Sequence, residues 1–333
     1  MVLLIVPNAI LFSRELSPNK APLFSIDNPI NSAIRFKNYY KNNFYFKTEM
    51  LDSYLKVKSN VLNDVPLKNR VITGKDGWYF LGNEYNQLFN DGFGSYPFSE
   101  FELKKIKNNI KRIKETLDSK GVAFYIVVPP NKHRVYSEKL PYKIKQKPTR
   151  LEVLNSYLKK EIDFEILDLR DTLISNKGKE LLYYKTNTHW NDLGAFIGYH
   201  KTLNTLKLDL PKEHISNYNI DYKPIKRGDI TEMIHLKLIE KAPFLNKKTT
   251  SEIISLKNKH DYLHFKNLNG NKKLIMYRDS FSNAWIQFFN ESFGETIYLR
   301  SYSIKADFIQ KEKPDVVVFE IIERELSNIL LNL

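Results

Sequence analysis

The 333-residue sequence contains no cysteine, which excludes disulfide bonds and thiolate zinc sites. It also lacks the His-Glu-x-x-His spacing of zinc enzymes, so neither a metal nor a cofactor is predicted. Zinc-finger spacing, an RNA-binding signature and a basic heptad array are missing as well. We therefore do not expect nucleic acid as a partner.

A long apolar run is also missing near the N-terminus. Residues 1–12 (MVLLIVPNAILF) are apolar, but a membrane-spanning helix needs about 20 such residues, and no Lys or Arg precedes them. Two interpretations of residues 1–20 remain open from the segment alone. They are the end of a longer, truncated membrane anchor or an apolar N-terminal strand.

Charge of one sign is in excess, with 52 Lys and Arg against 38 Asp and Glu, a formal net charge of +14. Such a balance suits an acidic polysaccharide or an anionic membrane surface. The hydrophobic fraction of 42% is ordinary for a folded protein, which excludes a disordered chain.

Three regions are predicted along the chain. After residues 1–20, residues 21–70 carry a broken helical pattern typical of a short stalk or packing arm. Residues 71–333 are predicted to form the catalytic domain. Within it, residues 209–270 are Lys-rich and Asn-rich with weak periodicity, and we interpret them as an insertion over the rim of the site.

The catalytic domain alternates helix and strand. Capping boxes at Ser99 and Thr149 open two amphipathic helices. Short apolar strands are predicted at 124–128, 165–169, 273–277, 296–299 and 316–319. Buried strands separated by helices indicate a doubly wound, mostly parallel sheet in an α/β/α sandwich. Its ligands are expected at the carboxyl ends of the strands.

Ser280 follows the predicted strand 273–277 in a polar turn before a helix predicted over 282–293. A hydroxyl there lies beside unpaired backbone N–H groups and the positive end of the helix dipole, which favour a developing oxyanion. The N–H groups of Ser280 and Phe281 are the predicted oxyanion donors. The alternative is that Asp279 and Ser280 only cap the helix.

A second segment supplies a candidate base, His189, two residues after Asn187. Acyl transfer needs a nucleophile, a base and a group that orients the base, and Ser280, His189 and Asn187 are predicted to fill these roles. The alternative is a solvated loop histidine before a helix capped by Asn191 or Asp192.

Four more residues are predicted to contact the substrate: Lys132, Arg134, Tyr184 and Arg278. Lys132 and Arg134 follow a predicted strand end and suit an anionic sugar or an acyl donor, although basic loops commonly serve solubility alone. The charged residues near the C-terminus are predicted to form ion pairs rather than acid–base pairs. They are Glu320, Glu323, Arg324 and Glu325.

Four motifs together resemble the alginate O-acetyltransferase family of AlgJ and AlgX type. They are 74–80 (GKDGWYF), 127–130 (VVPP), 188–190 (THW) and 278–281 (RDSF). The resemblance implies an SGNH-hydrolase-like fold, with Ser280 as nucleophile and His189 as base. It further implies an enzyme in the periplasm or elsewhere outside the cytoplasm, anchored to the inner membrane by its N-terminal segment. A multispanning membrane O-acyltransferase would supply the acetyl group.

The sequence departs from this family at Asn187, where members usually carry an aspartate. A carboxylate both fixes the histidine tautomer and stabilises the imidazolium, whereas an amide only hydrogen-bonds. Three hypotheses therefore stand: an O-acetyltransferase acting on a bacterial exopolysaccharide or cell-surface glycan, a carbohydrate acetylesterase, or a non-catalytic polysaccharide-binding protein.

Overall fold

The computed structural model describes residues 26–43, 53–54, 57–62, 69–92, 94–143, 147–178, 180–249 and 251–333. The chain divides into two compact units, residues 1–66 with 234–236 and residues 67–233 with 237–333. The predicted anchor, 1–20, lies outside the described residues. Within these residues, no helix combines the length and the apolar character needed to span a membrane.

The first unit contains helix α1 (Pro29–Asn43) and a π-helical turn (Val57–Val61). Both lie in the predicted helical arm, 21–70. Most of the α1 side chains that are described are exposed, including Ile30 and Ile34.

The second unit is built on a seven-stranded sheet. Its strands are β3 (Ala123–Val128), β4 (Leu167–Asp168), β7 (Ile253–Lys259), β8 (Tyr262–Asn267), β9 (Lys273–Tyr277), β10 (Glu295–Leu299) and β11 (Val316–Glu320). Their order across the sheet is β4-β3-β11-β9-β10-β8-β7. The first five strands in this order run parallel, while β8 pairs antiparallel with β10 and β7 pairs antiparallel with β8. Two small antiparallel pairs lie outside it: β1 (Val71–Thr73) with β2 (Tyr79–Leu81), and β5 (Tyr218–Ile225) with β6 (Glu240–Lys247).

Ten helices of the second unit are described: α2 (Leu88–Gly92), α3 (Glu100–Asp118), α4 (Lys132–Val135), α5 (Arg150–Ile162), α6 (Arg170–Ser175), α7 (Asp192–Thr205), α8 (Asp229–Glu232), α9 (Ile286–Ser292), α10 (Ala306–Glu312) and α11 (Leu326–Leu331). Short 3₁₀ turns occupy Ser137–Lys139, Ile215–Asn217, Phe281–Trp285 and Glu323–Glu325. Both predicted capping boxes are present, at the start of α3 and of α5. Each satisfies backbone N–H groups that a helix start leaves unpaired.

Two apolar layers cover the sheet. Alternate strand residues such as Ile275 and Val317 join one buried cluster with Ile110 of α3 and Leu154 of α5. The intervening residues, including buried Met276, face the opposite layer because successive side chains of a strand point to opposite sides. The predicted doubly wound, mostly parallel sheet is thus confirmed.

The structure differs from the sequence prediction at two places. Residues 209–270 form two strand pairs, and the second, β7–β8, extends the central sheet instead of covering the rim. Strand β7 is an exposed edge strand, so it lacks the apolar signal of a buried strand. The helix predicted over 282–293 begins with the 3₁₀ turn Phe281–Trp285.

Candidate active site

The turn that carries Ser280 follows β9 at the carboxyl edge of the sheet and is held by Asp279. One carboxylate oxygen of Asp279 accepts from the Phe281 N–H and the other from the Ile322 N–H, both at 2.8 Å. Glu320, at the end of β11, accepts from the Asp279 N–H at 3.0 Å. These bonds tie the serine turn to the neighbouring strand and fix where the hydroxyl lies.

Arg278 supports the same turn from inside the protein. It is 3% exposed, and its guanidinium donates to the Asp279 carbonyl at 3.1 Å and to Asn283 Oδ1 at 2.6 Å. The prediction that Arg278 contacts the substrate is therefore wrong, because a buried guanidinium with these partners is not available to a sugar.

The loop that carries His189 is organised by Lys132. The buried ammonium donates to the backbone carbonyls of Tyr184, Lys185 and Asn187 at 3.0, 3.0 and 2.7 Å. Burial lowers the pKa of Lys132 to about 7. Lys132 is 5% exposed, so the predicted substrate contact is wrong and the residue instead holds the loop of the candidate base.

The structure brings Ser280, His189 and Asn187 into one hydrogen-bonded row. His189 Nε2 lies 2.8 Å from Ser280 Oγ, and His189 Nδ1 lies 2.7 Å from Asn187 Oδ1. The three side chains thus have the order nucleophile, base and orienting group that acyl transfer requires.

The hydrogen bonds of Asn187 also determine the tautomer of His189. The His189 backbone N–H, which can only donate, lies 3.0 Å from Asn187 Oδ1. The amide atom there must therefore be the acceptor oxygen, and the ring nitrogen bonded to it must be protonated. Nε2 is then free to accept the Ser280 proton, so the amide gives the tautomer that a general base needs.

A carboxylate not predicted from the sequence, Asp229, lies beside this row. Its Oδ2 is 3.6 Å from His189 Nδ1 and accepts from the Thr188 hydroxyl at 2.6 Å. Its Oδ1 accepts from the Thr188 N–H at 2.7 Å. The only sequence signal was the Gly228-Asp229 break in residues 209–270, and nothing local relates it to His189.

Charge and burial both act on His189. Burial lowers the pKa of the imidazole, Asp229 opposes this shift, and the cation of Arg324 adds to it. The net lowering favours the neutral ring at pH 7. A neutral imidazole is the form that can take a proton from Ser280.

The predicted oxyanion donors differ in availability. The Phe281 N–H is engaged by Asp279, so it is not free for an oxyanion, contrary to the prediction. The Ser280 N–H donates to no acceptor among the described residues. It therefore remains the candidate donor of the pair.

Three further predicted residues are Arg134 and Tyr184, which were expected to contact the substrate, and Arg324, which was expected to form an ion pair. Arg134 forms ion pairs with Glu323 at 3.6 Å and Glu152 at 3.7 Å, and its predicted substrate contact stays a prediction. Tyr184 is half-buried beside His189, and its substrate contact stays a prediction.

Arg324 makes no ion pair with any described residue, contrary to expectation. Its guanidinium lies 5.6 Å from the centre of the Phe281 ring.

Solved structures with the same fold come from two organisms. Bacillus cereus PatB1 with a sulfonyl adduct superposes with a TM-score of 0.61 at 20% identity, covering 79% of this chain and 97% of PatB1. A DHHW family protein from Eubacterium siraeum gives a TM-score of 0.59 at 15% identity, covering 79% and 95%. No curated protein sequence matches significantly.

The sequence also matches a family model. The profile described as SGNH hydrolase-like domain, acetyltransferase AlgX, matches residues 71–260, more than half of the chain. This match and the superpositions confirm the predicted SGNH-hydrolase-like fold. The protein therefore belongs to the AlgX acetyltransferase family of SGNH hydrolase-like domains.

Proposed function

We propose that this protein is an O-acetyltransferase that passes an acetyl group through Ser280 to a hydroxyl of a bacterial exopolysaccharide or cell-surface glycan. The observation that carries the proposal is the row Ser280–His189–Asn187, with the ring nitrogen facing Ser280 unprotonated. Membership in an acetyltransferase family supports the same chemistry.

In the first half-reaction Ser280 Oγ attacks the carbonyl carbon of the acetyl donor while His189 Nε2 takes the hydroxyl proton. The carbonyl oxygen becomes an oxyanion, and the Ser280 N–H is the group available to stabilise it. When the intermediate collapses, the imidazolium returns the proton to the leaving group. The acetyl ester of Ser280 remains.

In the second half-reaction a sugar hydroxyl attacks that ester, again with His189 as base. The new sugar ester forms as the bond to Ser280 Oγ breaks, and the serine regains its proton from His189. Water in place of the sugar would give an acetylesterase with the same residues. The two activities differ only in the acceptor that the site admits.

The exposure of the site is compatible with a polymeric substrate. The side chain of His189 is 27% exposed and Ser280 is half-buried, so both reacting groups can be reached from solvent. The positive net charge favours an acidic glycan. We further propose that the protein works in the periplasm or elsewhere outside the cytoplasm, is held at the inner membrane by its N-terminal segment, and receives acetyl groups from a multispanning membrane O-acyltransferase.

The test combines 4-nitrophenyl acetate as donor with an oligosaccharide acceptor. We expect mass spectrometry to find one acetyl group on the peptide containing Ser280, and acetylated oligosaccharide as the product. Ser280→Ala should abolish both. Release of free acetate without acetylated sugar would establish the esterase, and unchanged polysaccharide acetylation in cells carrying Ser280→Ala would establish the non-catalytic alternative.

A further inference from the structure

We propose that Asp229 is a positioning residue that supplies the negative charge which Asn187 lacks. The inference rests on the proposed function of Ser280 and His189. In this chain the two tasks of a triad carboxylate are divided, because Asn187 fixes the tautomer of the ring and Asp229 stabilises the imidazolium.

The ring of His189 is connected to Asp229 through Thr188. His189 Nδ1 has two hydrogen-bond acceptors, Asn187 Oδ1 at 2.7 Å and Thr188 Oγ1 at 3.1 Å. The Thr188 hydroxyl donates its own proton to Asp229, so its oxygen is free to accept from the ring. The ring N–H is therefore linked to a carboxylate through one hydroxyl, and the same carboxylate lies 3.6 Å from Nδ1.

The fold holds Asp229 in place beside this loop. The N–H groups of Ile230 and Thr231 approach the Thr186 carbonyl at 3.2 and 3.4 Å. A Cβ atom at Gly228 would lie 2.3 Å from the same carbonyl oxygen, so only glycine permits this approach. The start of α8 is thus packed directly on the loop that carries His189.

Charges of both signs face the ring of His189. Besides Asp229 these are Arg324, Lys132 and Asp279, of which the two cations disfavour the imidazolium. Asp279 already accepts two backbone N–H groups in the serine turn. Asp192, another carboxylate near in sequence, accepts from the Leu245 N–H at 2.9 Å and is committed to β6. Asp229, 3.6 Å from Nδ1, is the only one of these three carboxylates within ion-pair distance of the ring, and it is therefore the one best placed to balance the charge.

The experiment compares four full-length proteins: wild type, Asp229→Asn, Asn187→Asp and the double variant. Each is assayed for hydrolysis of 4-nitrophenyl acetate across pH. Asp229→Asn should lower kcat roughly 10- to 100-fold and move the acid limb of the profile to lower pH, because the pKa of His189 falls when the anion is removed. The double variant should recover most of the rate, since it returns a carboxylate to the ring nitrogen.

Controls separate this role from a structural one. Asp192→Asn removes a comparable half-buried carboxylate and should leave the acid limb in place. Thr188→Val removes the linking hydroxyl without changing the side-chain shape and should also lower kcat, which keeps the test available if Asp229→Asn does not fold. A purely structural Asp229 would lower the amount of folded protein without moving the acid limb and without recovery in the double variant.

These measurements distinguish failure of the proposed function from failure of the inference about Asp229. If wild-type protein neither hydrolyses the ester nor carries acetyl on Ser280, the proposed function fails. If wild type is active and acetylated but folded Asp229→Asn and Thr188→Val keep its kcat and pH profile, the inference about Asp229 is wrong and the function stands.

Discussion

The indole N–H of Trp190 donates a hydrogen bond to the backbone carbonyl of Phe281 at 2.9 Å. Trp190 follows the candidate base His189 in the chain, and Phe281 follows the candidate nucleophile Ser280. The residues next to the two reacting groups are therefore bonded to each other. This second link holds the histidine loop and the serine turn at a fixed separation even before a substrate binds.

Replacing Trp190 by Phe should disturb this separation. The Phe281 carbonyl would lose its donor, at a cost of about 1–3 kcal/mol in unfolding free energy. We expect kcat for acetyl-ester hydrolysis to fall roughly 10- to 100-fold, because small misplacements of reacting groups have effects of this size. Denaturant unfolding and steady-state kinetics measure the two effects.

Trp285→Phe is the matched control. Its indole N–H donates to the Ala195 carbonyl at 2.8 Å, and its ring packs against Trp190 with centroids 5.1 Å apart. It should lose similar stability with a smaller effect on kcat. Equal losses of kcat in both variants would contradict the proposed link.

The pH dependence of kcat/KM should report His189. Burial lowers its pKa, so the acid limb should lie below the usual value of about 6.5. Activity is lost as pH falls through this pKa, because only the neutral ring accepts the Ser280 proton. Arg324→Gln removes a cation near the ring, raises the pKa of His189, and should move the acid limb to higher pH.

Arg112→Gln on the exposed face of α3 controls for loss of charge alone and should leave the limb unchanged. The acid limb should move to lower pH in Asp229→Asn and to higher pH in Arg324→Gln. The two variants together test whether an anion and a cation shift the pKa of His189 in opposite directions. An acid limb at the same pH in Arg324→Gln and in wild type would show that the Arg324 guanidinium does not act on His189.

Glu320 should make the protein less stable as pH rises. Burial, together with nearby Asp279, raises the pKa of this fully buried carboxyl well above its usual range. Between the unfolded value of about 4.3 and the folded value, the folded state holds a proton that the unfolded chain has released. Stability therefore falls as pH rises through this interval.

Glu320→Gln keeps a neutral side chain of the same shape and should remove this dependence. Thermal unfolding from about pH 5 to about pH 8 should show a smaller fall in Tm for the variant than for wild type. Glu115→Gln, on an exposed part of α3, is the control and should follow wild type. Parallel falls in all three proteins would exclude Glu320 as the source.

Lys132→Met should damage the loop of the candidate base. Three backbone carbonyls lose a shared donor, and unsatisfied buried acceptors cost about 1–3 kcal/mol each before relaxation. We expect a clear drop in unfolding free energy and in kcat, measured by urea denaturation and ester hydrolysis. Lys177→Met is the control, because Lys177 also donates to a backbone carbonyl, that of Val135, but is more exposed. An Lys132 variant with wild-type kcat would show that other bonds hold the loop.

The sequence by itself determined most of the architecture. Capping residues such as Ser99 and Thr149 act on the turn that follows them, and buried strands such as β9 and β11 are recognisable from their own apolar residues. These local signals predicted the parallel part of the sheet but not its antiparallel strands β7 and β8. The family resemblance carried by the motifs around His189 and Ser280 predicted that these two residues meet.

Tertiary structure alone decided which groups near the site can bind substrate, donate to an oxyanion or act on His189. Lys132 and Arg278 have the composition of substrate-binding residues, yet both are buried and donate to backbone carbonyls. The Phe281 N–H is already bonded to Asp279, and Asp229 reaches His189 from a distant segment. No periodicity encodes such contacts, because they join parts of the chain that meet only after the sheet has formed and the loops at its carboxyl edge have packed on one another.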